Sequence, residues 1–284
     1  MKYKILVTGG AGFIGSNLIK LLLSEGHIVH SLDNYYTGKV ENEIDGAVYH
    51  LADIEQIDQL GEVYGIIFHL AALARVQPSF DYPAETFRVN TQGTQAVLEF
   101  ARQTGARVVY AGSSSKWHDP TESPYAHYKY LGEEICKLYR KVYKVNAEIA
   151  RFYNVYGPNE IVEGKYASVV GIWRNQIANN KPLTIVGDGE QRRDFTYVGD
   201  IVDGLYRIAM SKETHKDAWE LGCGVNYSIN QLYKIFKSKF NISEPVFIGN
   251  QQGNYRETLR KNNDAVDTLG WNPSDKLENY ILSL

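Results

Sequence analysis

Sulfur-bearing residues and proline are scarce in this chain: 2 cysteines, 2 methionines and 8 prolines among 284 residues. Cys136 and Cys223 have no metal-ligand spacing and are too few for a disulfide framework. A reducing compartment and no metal site are therefore expected. Long apolar runs are also missing. The first, Ile5-Leu6-Val7, stops at Thr8 and Gly9, which fits neither a signal peptide nor a membrane span, so a cytoplasmic protein is expected. Charge of one sign is absent as well. Thirty basic against 33 acidic residues leave a net charge of −3, which gives a nucleic-acid partner no footing. Tyrosine is abundant at 21, and rings with polar tips suit pockets and interfaces. With 44% hydrophobic residues the chain can bury a core for one large domain or two lobes.

Short apolar runs alternate with helical patterns through the first half. Strands are expected at Lys4–Val7, His27–Leu32, Ala47–His50, Gly65–Leu70, Arg107–Ala111 and Ala147–Phe152, with helices at Gly12–Ser24, Ile54–Leu60, Phe87–Thr104 and Pro124–Tyr143. Such alternation predicts a doubly wound parallel sheet, with ligands beyond the strands' carboxyl ends. After Gly157-Pro158 the pattern changes to helix at Ser168–Asn179, strand at Pro182–Val186, helix at Gly199–Met210, strand at Ala218–Leu221 and an amphipathic helix at Ser228–Phe240. The expected architecture is α/β: a dinucleotide-binding domain over 1–155, to which 194–221 returns, and a smaller mixed α/β substrate lobe from 156–193 and 222–284.

Thr8 to Gly15 read Thr-Gly-Gly-Ala-Gly-Phe-Ile-Gly between the first strand and the first helix. Gly9 permits a tight turn, Gly12 lets the backbone approach phosphates, and Gly15 lets the helix pack on the strand. The helix N-terminus then faces the pyrophosphate of a dinucleotide. Asp33, at the end of the second strand, would accept hydrogen bonds from an adenosine ribose and repel a 2′-phosphate, favouring NAD over NADP.

Tyr125-Ala126-His127-Tyr128-Lys129 follows Ser123-Pro124, a plausible N-cap and first helical residue. Tyr125 and Lys129, four apart on a helix, share a face, so the ammonium can favour a tyrosinate that serves as general base. Two other pairs have this spacing, Tyr35/Lys39 and Tyr233/Lys237, and read as a loop pair and a helix-surface pair. Only Tyr125/Lys129 follows a strand ending in a hydroxyl cluster, Ser113-Ser114-Ser115, from which a serine can bond both the phenol and a substrate hydroxyl.

With these motifs the chain resembles the extended short-chain dehydrogenase/reductase family, and within it the nucleotide-sugar epimerases and dehydratases. The resemblance is carried further by Asp33–Gly38, Asp53-Ile54, His69–Ala72, Val89-Asn90, Arg151–Pro158, Gly187–Asp200 and Leu269–Pro273. It implies Ser113, Tyr125 and Lys129 as catalytic residues. Cofactor contacts are implied from Gly9, Gly12, Phe13, Ile14, Gly15, Asp33, Asn34, Gly38, Asp53, Ile54, Leu70, Ala71, Ala72, Asn90, Tyr125, Lys129 and Phe152. Substrate contacts are implied from Ser114, Ser115, Asn154, Arg193 and Arg256, the guanidiniums suiting a diphosphate. A homodimer through a bundle of the Phe87–Thr104 and Pro124–Tyr143 helices is implied too.

Family members that eliminate water or decarboxylate carry an acid at the end of the hydroxyl cluster, where this chain has Ser114 and Ser115. The resemblance therefore points to a UDP-sugar 4-epimerase: oxidation at C4 to a 4-keto sugar, then hydride return to the opposite face. A dehydratase or keto-sugar reductase of the family, or a dinucleotide-binding protein without turnover, are the alternatives. Three departures mark the chain. The Ser113–Tyr125 interval is shorter than in relatives, so another segment is expected to complete the sugar pocket. Lys116-Trp117-His118 adds bulk and charge beside the catalytic strand, with His118 read as an exposed loop residue. The family's Arg-x-Gly-Asp near the C-terminus is Gln251-Gln252-Gly253-Asn254 here, which leaves Arg256 to compensate.

Overall fold

The computed structural model describes residues 2–284. Its first half runs β1 (Lys4–Thr8), α1 (Phe13–Ser24), β2 (Ile28–Asp33), β3 (Val48–Leu51) and β4 (Ile66–His69). Two short helices, α2 (Val76–Asp81) and α3 (Pro83–Phe87), lead to α4 (Gly93–Thr104), β5 (Arg107–Ser113), α5 (Pro124–Tyr143) and β6 (Ala147–Phe152). Then come β7 (Asn154–Tyr156), α6 (Val169–Ala178), β8 (Thr184–Val186), β9 (Arg192–Tyr197) and α7 (Val198–Met210). The chain ends with β10 (Trp219–Leu221), β11 (Asn226–Ser228), α8 (Ile229–Lys239), β12 (Val246–Ile248), α9 (Asp264–Leu269) and α10 (Leu277–Ser283).

Seven parallel strands form the main sheet in the order β10-β6-β5-β4-β1-β2-β3. Helices cover both faces because these strands are apolar on both sides. One face carries a core of Ile5, Val7, Leu18, Ile19, Val198, Ile201, Leu205 and Trp271, from α1, α7 and the α9 region. The other carries Leu6, Ile67, Val97, Leu98, Val108, Cys136 and Tyr139, from α4 and α5. A third cluster, with Trp173, Leu183, Leu232, Phe236 and Leu277, builds a smaller unit around the β11-β9-β7 and β12-β8 sheets.

Strand order reverses between β1 and β4, and this is where an open α/β sheet splays to admit a ligand. A hydroxyl–imidazole chain fixes that point. Thr8 Oγ1 accepts from Leu70 N (3.2 Å) and Ala71 N (3.1 Å) and lies 2.9 Å from His69 Nδ1. His69 Nε2 lies 3.0 Å from Thr94 Oγ1, whose own proton goes to Asn90 O. Burial pushes the His69 imidazole down to about 3, so it stays neutral, and the polar groups of β1, β4 and α4 are mutually satisfied.

Three expectations need correction. The helix expected over 87–104 breaks: α3 ends at Phe87, a wide π-type turn spans Arg88–Gln92, and α4 begins at Gly93. That turn aims Asn90 at the loop after β4, the kind of local demand that produces such turns. Ile54–Leu60 is a 3₁₀ helix, capped by a reciprocal Asp53–Gln56 box. Ala265, Val266, Leu269 and Trp271, expected in the smaller lobe, pack on the main sheet's core.

Gly15 sits where α1 crosses the turn after β1, and a Cβ there would lie 2.1 Å from Gly9 O. Gly15→Ala is expected to destabilise the protein by about 1–3 kcal/mol through overpacking. A urea titration should show a lower midpoint for Gly15→Ala. Gly249→Ala, with open space around it, should leave the midpoint unchanged.

Candidate active site

A cleft of about 780 Å³ opens over the carboxyl ends of β1, β2, β4, β5 and β6 and runs under the smaller unit. Its floor at one end is the turn after β1. Gly9 adopts φ +73°, and a Cβ there would lie 2.9 Å from Ala71 N. Helix α1 begins at Gly12 with no side-chain cap, so its first N–H groups are left for a ligand. Asp33 is buried, and burial raises its pKa while Tyr35 N (2.8 Å) and Ala11 N (2.9 Å) donate to its carboxylate and oppose the shift. Asp53, held by Asn34 Nδ2 (2.6 Å), lines the same end with Ile54. A bare backbone cradle at a helix N-terminus, flanked by a buried acid, fits the pyrophosphate and ribose of a dinucleotide.

At the other end β5 delivers Ser113 and α5 delivers Tyr125 and Lys129. Helix α5 starts where Ser123 Oγ accepts from Ala126 N (3.1 Å), with Pro124 in its first turn, and Tyr125 N donates to Ser79 Oγ of α2 (3.1 Å). Ser113 Oγ is a hub. It accepts from Ser115 N (3.2 Å) and Ser115 Oγ (2.9 Å), and Tyr125 Oη approaches at 3.4 Å. Two good donors already occupy the serine's lone pairs, so the phenol is held in position yet loosely bonded. Burial raises the Tyr125 pKa, against the hydrogen bond from Ser113 and the Arg75 guanidinium.

Lys129 is buried one turn further along α5. Its ammonium donates to Ala111 O and sits 4.3 Å from the Tyr110 ring centre. Burial pulls it down to about 8, with Glu133 opposing. Glu133 is itself clamped by Arg151 of β6, whose Nη2 is 2.7 Å from Glu133 Oε2 and whose Nη1 meets Glu220 (3.0 Å) and Asp217 (2.7 Å). Trp117 Nε1 donates to Glu220 at 3.2 Å, so the bulk after β5 closes this ion network.

Arg193 lines the cleft with its guanidinium on Arg192 O (2.8 Å) and Asn254 Oδ1 (2.5 Å). Burial pushes it down to about 10, and among the described residues no carboxylate comes within 4.0 Å of it. A half-buried cation left without an acid suits an anionic ligand. Asn154 lines the wall beside it, donating to Thr258 Oγ1 (3.0 Å).

The cleft thus brings together Gly9, Gly12, Phe13, Ile14, Gly15, Asp33, Asn34, Asp53, Ile54, Leu70, Ala71, Ala72, Ser113, Ser114, Ser115, Tyr125, Lys129, Phe152, Asn154 and Arg193. Three expected contacts do not line it. Asn90 turns away, exchanging hydrogen bonds with Leu73 N (2.8 Å) and Leu73 O (3.1 Å), and so holds the loop that does line it. Gly38 packs beneath Asp33, where a Cβ would lie 3.0 Å from Oδ1. Arg256 is exposed and pairs with Asp188 at 2.9 Å. His118, read as an exposed loop residue, stacks on Tyr255 instead, ring centres 3.8 Å apart. Arg75, Lys165 and Tyr255 line the cleft without having been singled out. Only Arg75, a lone cation after the apolar run Leu70–Ala74, left a trace in the sequence.

The Lys129 charge is costly to bury. An unfolded lysine keeps its proton to about 10.4, whereas this one loses it near 8. The penalty is therefore complete below pH 8 and fades as pH rises from about 8 towards 10. Lys129→Met is expected to raise the melting temperature of the ligand-free protein at pH 7, with the gain shrinking above pH 8, as thermal denaturation across pH would read.

Comparison with known proteins agrees with this geometry. The description of the NAD dependent epimerase/dehydratase family matches residues 5–222. A UDP-glucose 4-epimerase of Mycolicibacterium smegmatis is 34% identical, over 98% of this chain and 96% of its own length. A UDP-glucuronic acid decarboxylase 1 of Xenopus tropicalis is 31% identical over 97% of this chain and 69% of its own. The crystal structure of a UDP-glucose 4-epimerase with UDP-glucose from Thermotoga maritima superposes with a TM-score of 0.92 at 31% identity, covering 98% of this chain and 96% of that one. The chain therefore belongs to the NAD dependent epimerase/dehydratase family.

Proposed function

We propose that this protein is an NAD-dependent nucleotide-sugar 4-epimerase, acting on a UDP-sugar. The observation that carries the reading is the hydroxyl pair Tyr125–Ser113 with Lys129 one helical turn on, in a cluster whose other members, Ser114 and Ser115, bring no carboxylate. Bound NAD supplies a hydride acceptor and donor for the sugar's C4.

The chain's own residues do the rest. Gly9, Gly12 and Gly15 admit the pyrophosphate, Phe13 and Ile14 lie over it, and Asp33 takes the adenosine ribose. Leu70, Ala71, Ala72 and Phe152 line the path to the nicotinamide end, where Lys129 reaches the second ribose. Tyr125 takes the proton of the 4-hydroxyl and returns it, and Ser113 holds that oxygen. Burial favours the protonated phenol. Positive charge from Arg75 favours its ionised form, while the Lys129 ammonium is held on Ala111 O. Asn154 and Arg193 grip the diphosphate while the sugar turns over and presents its other face. The hydroxyl cluster brings no acid at 114 or 115 to move protons at C5 and C6, which supports epimerisation over loss of water or CO2. A homodimer through α4 and α5 fits the exposed Leu138, Val142 and Tyr143 of α5.

Incubation with UDP-glucose, UDP-N-acetylglucosamine and UDP-glucuronate, followed by NMR, should reveal a 4-epimer of at least one. Tyr125→Phe should lower turnover by about 10²–10⁴ while NAD binding, followed by fluorescence, stays at the wild-type level. Net consumption of a reduced cofactor would identify a reductase, and absence of any epimer would overturn the reading.

A further inference from the structure

The shortened interval between Ser113 and Tyr125 leaves a gap in the wall beside the reacting end of the cleft. The segment Gln251–Tyr255 fills it, and it is fastened on both banks. Gln77 Nε2 of α2 donates to Gln252 O (2.8 Å), and Arg193 Nη2 donates to Asn254 Oδ1 (2.5 Å). Gly253, at φ +69°, comes so near α2 and the start of α5 that a Cβ would lie 2.9 Å from Val76 Cγ1 and 3.4 Å from Ser123 Cβ.

Tyr255 follows on this segment and lines the cleft. Its ring stacks on His118 with centres 3.8 Å apart and planes 6° apart, which fixes where the hydroxyl points. Its Oη is shielded from solvent and has no hydrogen-bond partner among the described residues. The Ser123 hydroxyl approaches it without completing a hydrogen bond, while its Oγ accepts from Ala126 N at the α5 cap. A buried phenol hydroxyl without a partner costs free energy that a bound oxygen would recover. Its charged and titratable neighbours are Tyr125, Glu122, Arg193 and the stacked His118; Tyr125 and Arg193 also line the cleft, so Tyr255 lies between the reacting end and the anion-binding end, where a nucleotide's sugar would lie.

We propose that Tyr255 is a substrate-binding residue whose hydroxyl donates to an oxygen of the sugar, and that its stack on His118 ties sugar choice to the short loop after β5. This rests on the nucleotide-sugar reading above and deepens it. Nothing in the glycine-rich turn or in the hydroxyl cluster points to this residue, and it acts in binding, with the chemistry left to Tyr125.

The test compares Tyr255→Phe with wild type by calorimetry, using UDP and the three UDP-sugars of the assay above. The expected result is a Kd for the accepted UDP-sugar weakened about tenfold, the worth of a buried hydrogen bond. The Kd for UDP and the NAD content should not move, and the melting temperature of the ligand-free protein should not fall. Kinetics should show a raised KM with kcat nearly unchanged, as for uniform binding. His118→Ala should shift the relative affinities among the UDP-sugars. Unchanged sugar affinity in Tyr255→Phe would overturn the inference. So would an equal loss for UDP and UDP-sugar, which would mark a phosphoryl contact, or a wild type that binds UDP-sugars no tighter than UDP. A difference in sugar binding without any 4-epimer would instead overturn the epimerase reading and leave this one standing.

Discussion

Arg151 is the residue on which the geometry of the reacting end depends. It is fully buried in β6 and reaches three acids at once: Glu133 of α5, Glu220 of β10 and Asp217 just before β10. A guanidinium fork is suited to this task because its donors lie in a fixed plane. The contact with Glu133 sets the depth at which α5 sits on the sheet, and with it the height of Tyr125 and Lys129 above Ser113. Tyr153 Oη and Trp117 Nε1 both donate to Glu220, so little of the network is left unsatisfied. Removing any one member would strand a buried charge, which is why such clusters specify a single arrangement more than they add stability.

The same end of the molecule carries deliberate expense. A lysine is buried without a carboxylate of its own, a phenol is buried beside Ser113 with only a loose hydrogen bond, and two guanidiniums, Arg75 and Arg193, face the cleft with no acid within 4.0 Å among the described residues. Each carries a burial cost that an oxygen or a negative charge beside it would offset. At the far end of the cleft the acids have donors of their own. There, Asp33 and Asp53 are already held by backbone and side-chain donors before any ligand arrives.

The parts legible in the sequence are those where a local rule is absolute. Glycine spacing from Thr8 to Gly15 encodes a backbone path that other residues cannot follow, and it appears as expected. The Ser123-Pro124 start of α5 is equally local, and fixing it fixes which face Tyr125 and Lys129 share. Strand existence followed from apolar runs between polar turns. What stayed hidden depends on tertiary meeting points. The π-type turn at Asn90 exists to reach Leu73, a demand no propensity records. The run Arg192–Tyr197 hides a strand because Asp194 and Thr196 are buried polar residues, satisfied by Cys223, Gly224 and Arg260. Tyr255 was one ring among 21 tyrosines, and only its meeting with His118 gives it meaning.

The position of β10 carries a consequence for the order in which the molecule is made. This strand closes the main sheet beside β6, yet the chain visits the whole β7–β9 region before supplying it. A ribosome that has released residues through Phe152 has exposed a long parallel edge and a guanidinium with only one of its three acids. Until Asp217 and Glu220 emerge, that edge offers free backbone donors and acceptors to any neighbouring strand. Nascent chains stalled in this interval should therefore be the ones most in need of a chaperone's protection.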